Sequence, residues 1–135
     1  KYLMDLKILE IASHTDNNRV LNNATHHSKN RNPICGDEME ISLFIKDNKV
    51  KDMGYQCKSC VYCQASVSLL SRKIKNRSIE EVKIFTQNAE KMFEDMKSNL
   101  DKNWKDFKEL LDKKNISRKE CLLLPLKTVL KALKL

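Results

Sequence analysis

The chain is short of glycine and proline, with two of each in 135 residues. So few turn-formers point to long regular elements joined by few tight turns. No apolar run approaches membrane-spanning length, and residues 1–12 are too charged for the core of a signal peptide. Internal repeats and low-complexity segments are missing as well. So are an Arg-rich run and an aromatic-interleaved strand, which leaves the lysines reading as solvated helix faces and not as a nucleic-acid footprint. Neither nucleic acid nor a membrane is therefore an expected partner. The expected compartment is the cytoplasm, or an organelle matrix for a chain whose leader has been removed.

A hydrophobic content of 41% beside 33% charged residues fits one folded domain over residues 1–135. The net charge of +8 is unevenly placed. Residues 61–135 carry 17 basic and 10 acidic side chains, against 9 and 8 in residues 1–60, so +7 of the +8 lies in the second part. Such a surface attracts acidic partners.

Periodicity supplies the elements. Leu3, Leu6 and Leu9, with Met4, Ile8 and Ile11 beside them, predict an amphipathic helix over residues 2–13. Residues 14–32 are polar and Asn-rich, a long irregular connection that places His14, His26 and His27 among loop residues. Met39, Ile41, Leu43 and Ile45 alternate with polar neighbours; Asp47-Asn48 offers a turn, and Val50–Tyr55 resumes an extended pattern. A third strand is expected within residues 20–34, because two strands alone are marginal. Val61, Ala65, Leu69 and Ile74 mark a helix. Ser78-Ile79-Glu80-Glu81 reads as a capping box before Val82, Phe85, Ala89, Met92, Phe93 and Met96. Trp104, Phe107, Leu110 and Leu111 mark another helix. Ser117-Arg118-Lys119-Glu120 reads as a second capping box before Leu122, Leu123, Leu126, Val129, Leu130 and Leu133, with Pro125 a candidate kink. The expected class is α+β: a small three-stranded antiparallel sheet packed against about five helices.

Five cysteines is an odd number for a disulfide framework, so reduced thiols are expected. Cys57, Cys60 and Cys63 have the C-x2-C-x2-C spacing, but a ferredoxin motif would continue with x3-C-P, and Val67 and Ser68 stand there instead. A zinc ribbon needs a second C-x2-C, which the chain lacks. A metal site must then draw on distant segments. Cys35-Gly36-Asp37 offers a soft and a hard donor on one turn, and Cys60 and Cys121 stand at expected helix starts, where negative charge is favoured. Lys58 and Arg118 add positive charge nearby, and Arg118 is a candidate partner for the site carboxylate. Three thiolates and one carboxylate suit zinc or a partly exposed iron–sulfur cluster. Cys57 and Cys63 read as small buried hydrophobes.

Asn32-Pro33-Ile34-Cys35-Gly36-Asp37, then Cys60 followed by Ala65-Ser66-Val67-Ser68, then Arg118-Lys119-Glu120-Cys121, resemble the U-type iron–sulfur assembly proteins (NifU N-terminal, IscU and SufU) in order and over nearly the whole chain. The long step from Cys60 to Cys121, and Arg-x-x-Cys where IscU proteins have His-Cys, favour the SufU branch, whose insertion would fall near Trp104. Ser59 departs from the glycine usual before the second ligand, and Cys57 and Cys63 are additional to the pattern.

The resemblance implies a sulfurtransferase-like protein, not a stand-alone enzyme. Cys35, Asp37, Cys60 and Cys121 would hold zinc, and Cys35 would accept persulfide sulfur from a pyridoxal-phosphate cysteine desulfurase of the SufS/IscS type. A histidine of that desulfurase would take over one zinc bond, and Gly36 would act as hinge. Downstream scaffold proteins are the further partners implied. The alternatives are a scaffold on which iron and sulfur assemble as a [2Fe-2S] cluster, and a structural zinc-binding interaction domain.

Overall fold

Two alternating stretches separated by Asp47-Asn48 dictate the central hairpin. A computed structural model of the chain describes residues 5–94 and 100–134, and there the hairpin is β2 (Glu38–Lys46) and β3 (Lys49–Lys58). Asp47 and Asn48 have φ of 54° and 64°, the left-handed pair required by a two-residue type I′ turn and tolerated best by Asn and Asp. The register pairs Met39 with Cys57, Ile41 with Tyr55 and Leu43 with Met53. All of these but Cys57 are buried. The expected third strand is β1 (His26–Arg31), antiparallel to β2, giving the sheet order β1-β2-β3. His26 and His27 thus lie on a strand and not in a loop, and His27 Nε2 meets Glu40 Oε2 at 2.6 Å across the ladder.

Residues 17–19 cover the edge of β3. Tyr55 N donates to the Asn17 carbonyl at 3.1 Å, and Arg19 grips Asp52 with contacts of 2.9 and 3.1 Å. Covering an edge in this way removes a template for pairing with another chain.

Helices fill the other face. The first is α1 (Leu6–Ala12), capped by Asp5; the part of the expected helix on residues 2–4 lies outside the described residues. The second, α2 (Val61–Lys73), packs against α1 and against the last helix, α4 (Lys119–Leu133). Two buried serines of α2 tie these contacts together, Ser66 Oγ donating to the Leu122 carbonyl at 2.7 Å and Ser68 Oγ to that of His14 at 2.5 Å, while buried Ser71 Oγ donates within α2 to the Ser68 carbonyl at 2.7 Å. Each hydroxyl is buried with a partner, so none carries a desolvation penalty. The capping box before α3 (Ile79–Asn88) is formed in both directions, Glu81 N to Ser78 Oγ at 3.1 Å and Ser78 N to Glu81 Oε1 at 2.9 Å. Met96 lies outside the described residues.

Four expectations change. The helix opened by Ser78 ends at Asn88 and passes into a 3₁₀ segment, Ala89–Phe93, that carries the expected Ala89, Met92 and Phe93. The helix around Trp104 is a 3₁₀ segment, Lys102–Lys108, held by stacking of Trp104 on Phe85 with ring centroids 4.3 Å apart. Ser117 caps nothing: a further 3₁₀ segment, Lys113–Arg118, runs straight into α4, whose N-cap is Arg118 with no side-chain hydrogen bond. Pro125 does not end α4, which continues to Leu133. It takes from the Cys121 carbonyl the bond it would have received, in the interior of the helix. Among the described residues, no helix is long and apolar enough to cross a membrane.

Candidate metal centre

The loop between β1 and β2 is built by Asn32. Its carbonyl accepts from Gly36 N at 2.8 Å, its amide donates to the Asp37 carbonyl at 2.9 Å, and its side chain accepts from Ile34 N at 2.9 Å. Gly36 has φ of 78°, a conformation open to glycine and costly for a side chain. The result is a closed turn with exposed Ile34 and Cys35 at its tip and Asp37 folded inward, only 7% exposed.

Two helix starts face this loop. Cys60 is the N-cap of α2, and its backbone N–H donates to Asp37 Oδ1 at 3.3 Å. Cys121 is buried in the first turn of α4, which the bond from Ser66 to the Leu122 carbonyl pulls toward α2. The donor atoms of Cys35, Asp37 and Cys121 all lie within 4.8 Å of one another. Cys60, half-buried, is outside that trio, with its thiol against Cys121.

The donor set fits a metal on two grounds. Two soft thiols and a hard carboxylate, with a third thiol alongside, are the donors that zinc and iron accept. The second Asp37 oxygen, Oδ2, is buried with no hydrogen-bond partner, an arrangement that costs free energy unless a cation satisfies it. The Cys121 thiol holds its proton while no cation is bound. Burial, then contact with Cys60, then the neighbouring Cys35 and Asp37 push the Cys121 thiol far above its ordinary range. The helix start does not outweigh these effects, so the expected preference for a thiolate at Cys121 is reversed.

Arg118 is not the partner of the site carboxylate. Its guanidinium lies over the Tyr62 ring, 5.2 Å from the centroid, a cation–π contact that the sequence did not announce. Asn32 also escaped sequence reasoning as the residue that shapes the loop, although an Asn before Pro at a turn was its available signal. Cys63 is fully buried in α2, and burial pushes its thiol far up. Half-buried Cys57 shifts the same way for the same reason. The buried Ser59 hydroxyl lies against both thiols and lowers both, yet makes no well-formed hydrogen bond.

The family model for the NifU-like N-terminal domain matches residues 4–115. The chain is 33% identical over 134 residues to the iron–sulfur cluster assembly scaffold protein IscU of Thermotoga maritima, covering 99% of this chain and 94% of that one. Its fold matches the crystal structure of a candidate iron–sulfur cluster assembly scaffold protein for the SUF system from Fervidobacterium islandicum, with a TM-score of 0.83, 26% identity and 93% of each chain covered. It also matches a NifU-like N-terminal protein from Brucella abortus in fold, with a TM-score of 0.86 at 20% identity over 96% of this chain and 91% of that one.

Proposed function

The chain belongs to the NifU-like N-terminal domain family, and from that premise we propose that it works in iron–sulfur cluster assembly as a zinc-dependent sulfur acceptor for a cysteine desulfurase. The observation that carries this reading is the approach of the Cys35, Asp37 and Cys121 donors around a buried, unpartnered carboxylate oxygen. Cys35, Asp37, Cys121 and the adjoining Cys60 would hold the ion. When bound, zinc would keep the thiols deprotonated and shield them from oxidation.

The chain's own residues divide the remaining work. Cys35 is the one exposed thiol of the set, so a partner reaches it first. In the transfer, a bond forms between Cys35 Sγ, as thiolate, and the sulfane sulfur, the bond from that sulfur to the desulfurase cysteine breaks, and the leaving thiolate takes up a proton from solvent. Asp37 and Cys121 stay buried and keep their places. Gly36, already at positive φ and without neighbours within 4 Å of a Cβ position, lets the tip of the loop swing. Exposed Ile34 beside Cys35 gives the partner an apolar foothold.

The experiment is metal analysis of protein purified without added iron, followed by incubation with a cysteine desulfurase and cysteine and mass spectrometry of Cys35. Stoichiometric zinc and one added sulfur on Cys35 are expected. Iron with visible absorption, and no sulfur on Cys35, would support the second reading, a scaffold carrying a [2Fe-2S] cluster as cargo. That reading is favoured by the name borne by the Thermotoga relative. Metal without either sulfur or cluster would leave a structural zinc domain.

A further inference from the structure

The two edges of the sheet are treated differently. Residues 17–19 cover β3, whereas β1 ends the sheet order and pairs only with β2 among the described residues. Asn32 N donates to the Asp37 carbonyl at 2.9 Å just beyond the strand, which fixes the alternation of the ladder. Asn30, Ser28 and His26 therefore turn their backbone groups toward β2, and Arg31, Lys29 and His27 turn theirs away. One contact agrees with this: Lys131 Nζ reaches the Lys29 carbonyl from α4 at 2.7 Å. That carbonyl keeps a second lone pair, and the other outward groups meet no backbone partner among the described residues.

The side chains beside this row are basic. Lys29, Arg31, Lys58 and Lys131 are exposed and line a groove of about 770 Å³ over this end of the sheet, with Glu38 and Glu40 as its acidic members. Both carboxylates are engaged within the sheet, Glu40 with His27 at 2.6 Å and Glu38 with Arg31 at 4.0 Å, which leaves Lys29, Lys58 and Lys131 without an ion pair among the described residues. A second copy of β1 is a poor occupant. Antiparallel pairing about Lys29 would set Lys29 against Lys29 and Arg31 against His27, and like charges directly opposite destabilise a ladder. A nucleic acid answers the charge but not the row of backbone donors and acceptors. An extended acidic chain answers both.

We propose that the open edge of β1 is a docking site for an extended acidic segment of a partner protein, which adds to the sheet as a further strand. The backbone of the segment pairs with His27, Lys29 and Arg31, and its carboxylates meet Lys29, Arg31 and Lys131. A residue opposite Lys29 has its N–H turned to the edge and its side chain on the same face as the lysine, so one acidic residue serves both contacts. β1 runs directly into Asn32, the residue that shapes the Cys35 loop, so a strand added here is aligned with that loop. The edge lies outside the four-donor site, and the proposal goes beyond the sulfur-acceptor reading without depending on it.

The test titrates the full chain, isotope-labelled, with a capped synthetic peptide of alternating Glu and Thr, followed by NMR and amide hydrogen exchange. The amides of His27, Lys29 and Arg31 should shift and gain at least tenfold protection. Affinity should fall at least tenfold for a peptide with Lys in place of Glu, and for the chain carrying K29E and K131E together. It should fall as far for a peptide N-methylated at every Glu, which keeps the charge and removes the backbone donors, an arm that uses the wild-type chain throughout. No binding, binding without protection of these three amides, binding unchanged by N-methylation, or tighter binding of a DNA oligonucleotide of equal charge overturns the proposal. So does protection that appears without peptide as protein concentration rises, which would assign the edge to a second copy. Neither metal nor sulfur is read in this experiment, so the acceptor reading stands or falls on its own test.

Discussion

Asp37 and Cys60 are joined by a single hydrogen bond, from the Cys60 backbone N–H to Asp37 Oδ1 at 3.3 Å, while Asp37 Oδ2 is buried with no partner. One oxygen thus ties the β1–β2 loop to the start of α2, and the other is left for something that the chain does not supply. Structure and candidate chemistry meet on this one side chain.

Asp37→Asn separates the two roles. The amide oxygen can still accept from Cys60 N, but the charge is gone and the position of the unpartnered oxygen becomes a donor. Zinc affinity, measured by competition with a chromophoric chelator, should fall at least tenfold, or roughly 1.4 kcal/mol. The thermal midpoint of chelator-treated protein should stay near that of wild type, because a buried unpartnered acceptor is exchanged for a buried unpartnered donor. Unchanged zinc affinity would take Asp37 out of the site.

Cys121→Ser should have the larger effect on metal. A serine hydroxyl holds its proton through neutral pH and is a poor ligand for a soft or borderline ion. Metal content after purification should drop well below stoichiometry while circular dichroism keeps the wild-type helical signal, since the substitution is close to isosteric in a buried position. Full occupancy in this variant would place the metal elsewhere.

The parts of this molecule that could be read from the chain are those fixed by local rules. Alternation at Met39–Ile45 and the Asp47-Asn48 turn specify the hairpin because period and turn chemistry agree. The Ser78 box is formed as its residues require. The third strand could be located only by arguing that two strands need a third; its polar sequence, His26–Arg31, carries no periodic signal, and it is held by pairing with β2 and by Ser28 Oγ on the Thr128 carbonyl at 2.6 Å. The second box failed because Ser117 was already inside a 3₁₀ turn. Local pattern cannot see a preceding turn that is held by packing. The convergence of Cys35, Asp37 and Cys121 was legible from donor chemistry and resemblance together. The position of Cys60 outside that trio, and the placing of Arg118 on Tyr62, depend on helix packing that no spacing reports.

The two glycines make opposite demands. An added Cβ at Gly54 would stand 2.4 Å from the Arg19 carbonyl oxygen and 3.1 Å from Leu21 Cγ, so Gly54→Ala must push the covering segment off β3. The bond from Tyr55 N to the Asn17 carbonyl and the Arg19–Asp52 pair would go with it. Overpacking of this kind costs about 1–3 kcal/mol. Gly36→Ala meets open space but forces an alanine to positive φ, about 1–2 kcal/mol. Chemical denaturation should rank Gly54→Ala as at least equally destabilising. Hydrogen exchange should show loss of protection at Tyr55 in that variant alone; protection retained there would mean that the segment accommodates the methyl group.

Stability should also fall on the alkaline side, with a direction set by the buried thiols. Burial raises the proton affinity of Cys63, and that of Cys121, Cys57 and Tyr55 in the same sense. An unfolded thiol loses its proton near about pH 8.5. Below that pH both states are protonated and these groups add no slope. Above it the unfolded chain gives up protons that the folded chain retains, so the free energy of unfolding declines as pH rises toward the folded values. Each such group contributes at most about 1.4 kcal/mol per pH unit. Urea denaturation of chelator-treated protein between pH 8.5 and 10 should therefore show a steep loss of stability. Cys63→Ala should start lower, through the cavity it leaves, and decline less steeply by roughly one group's share. Parallel slopes for wild type and variant would mean that Cys63 titrates in the folded chain as it does in the unfolded one, which its complete burial forbids.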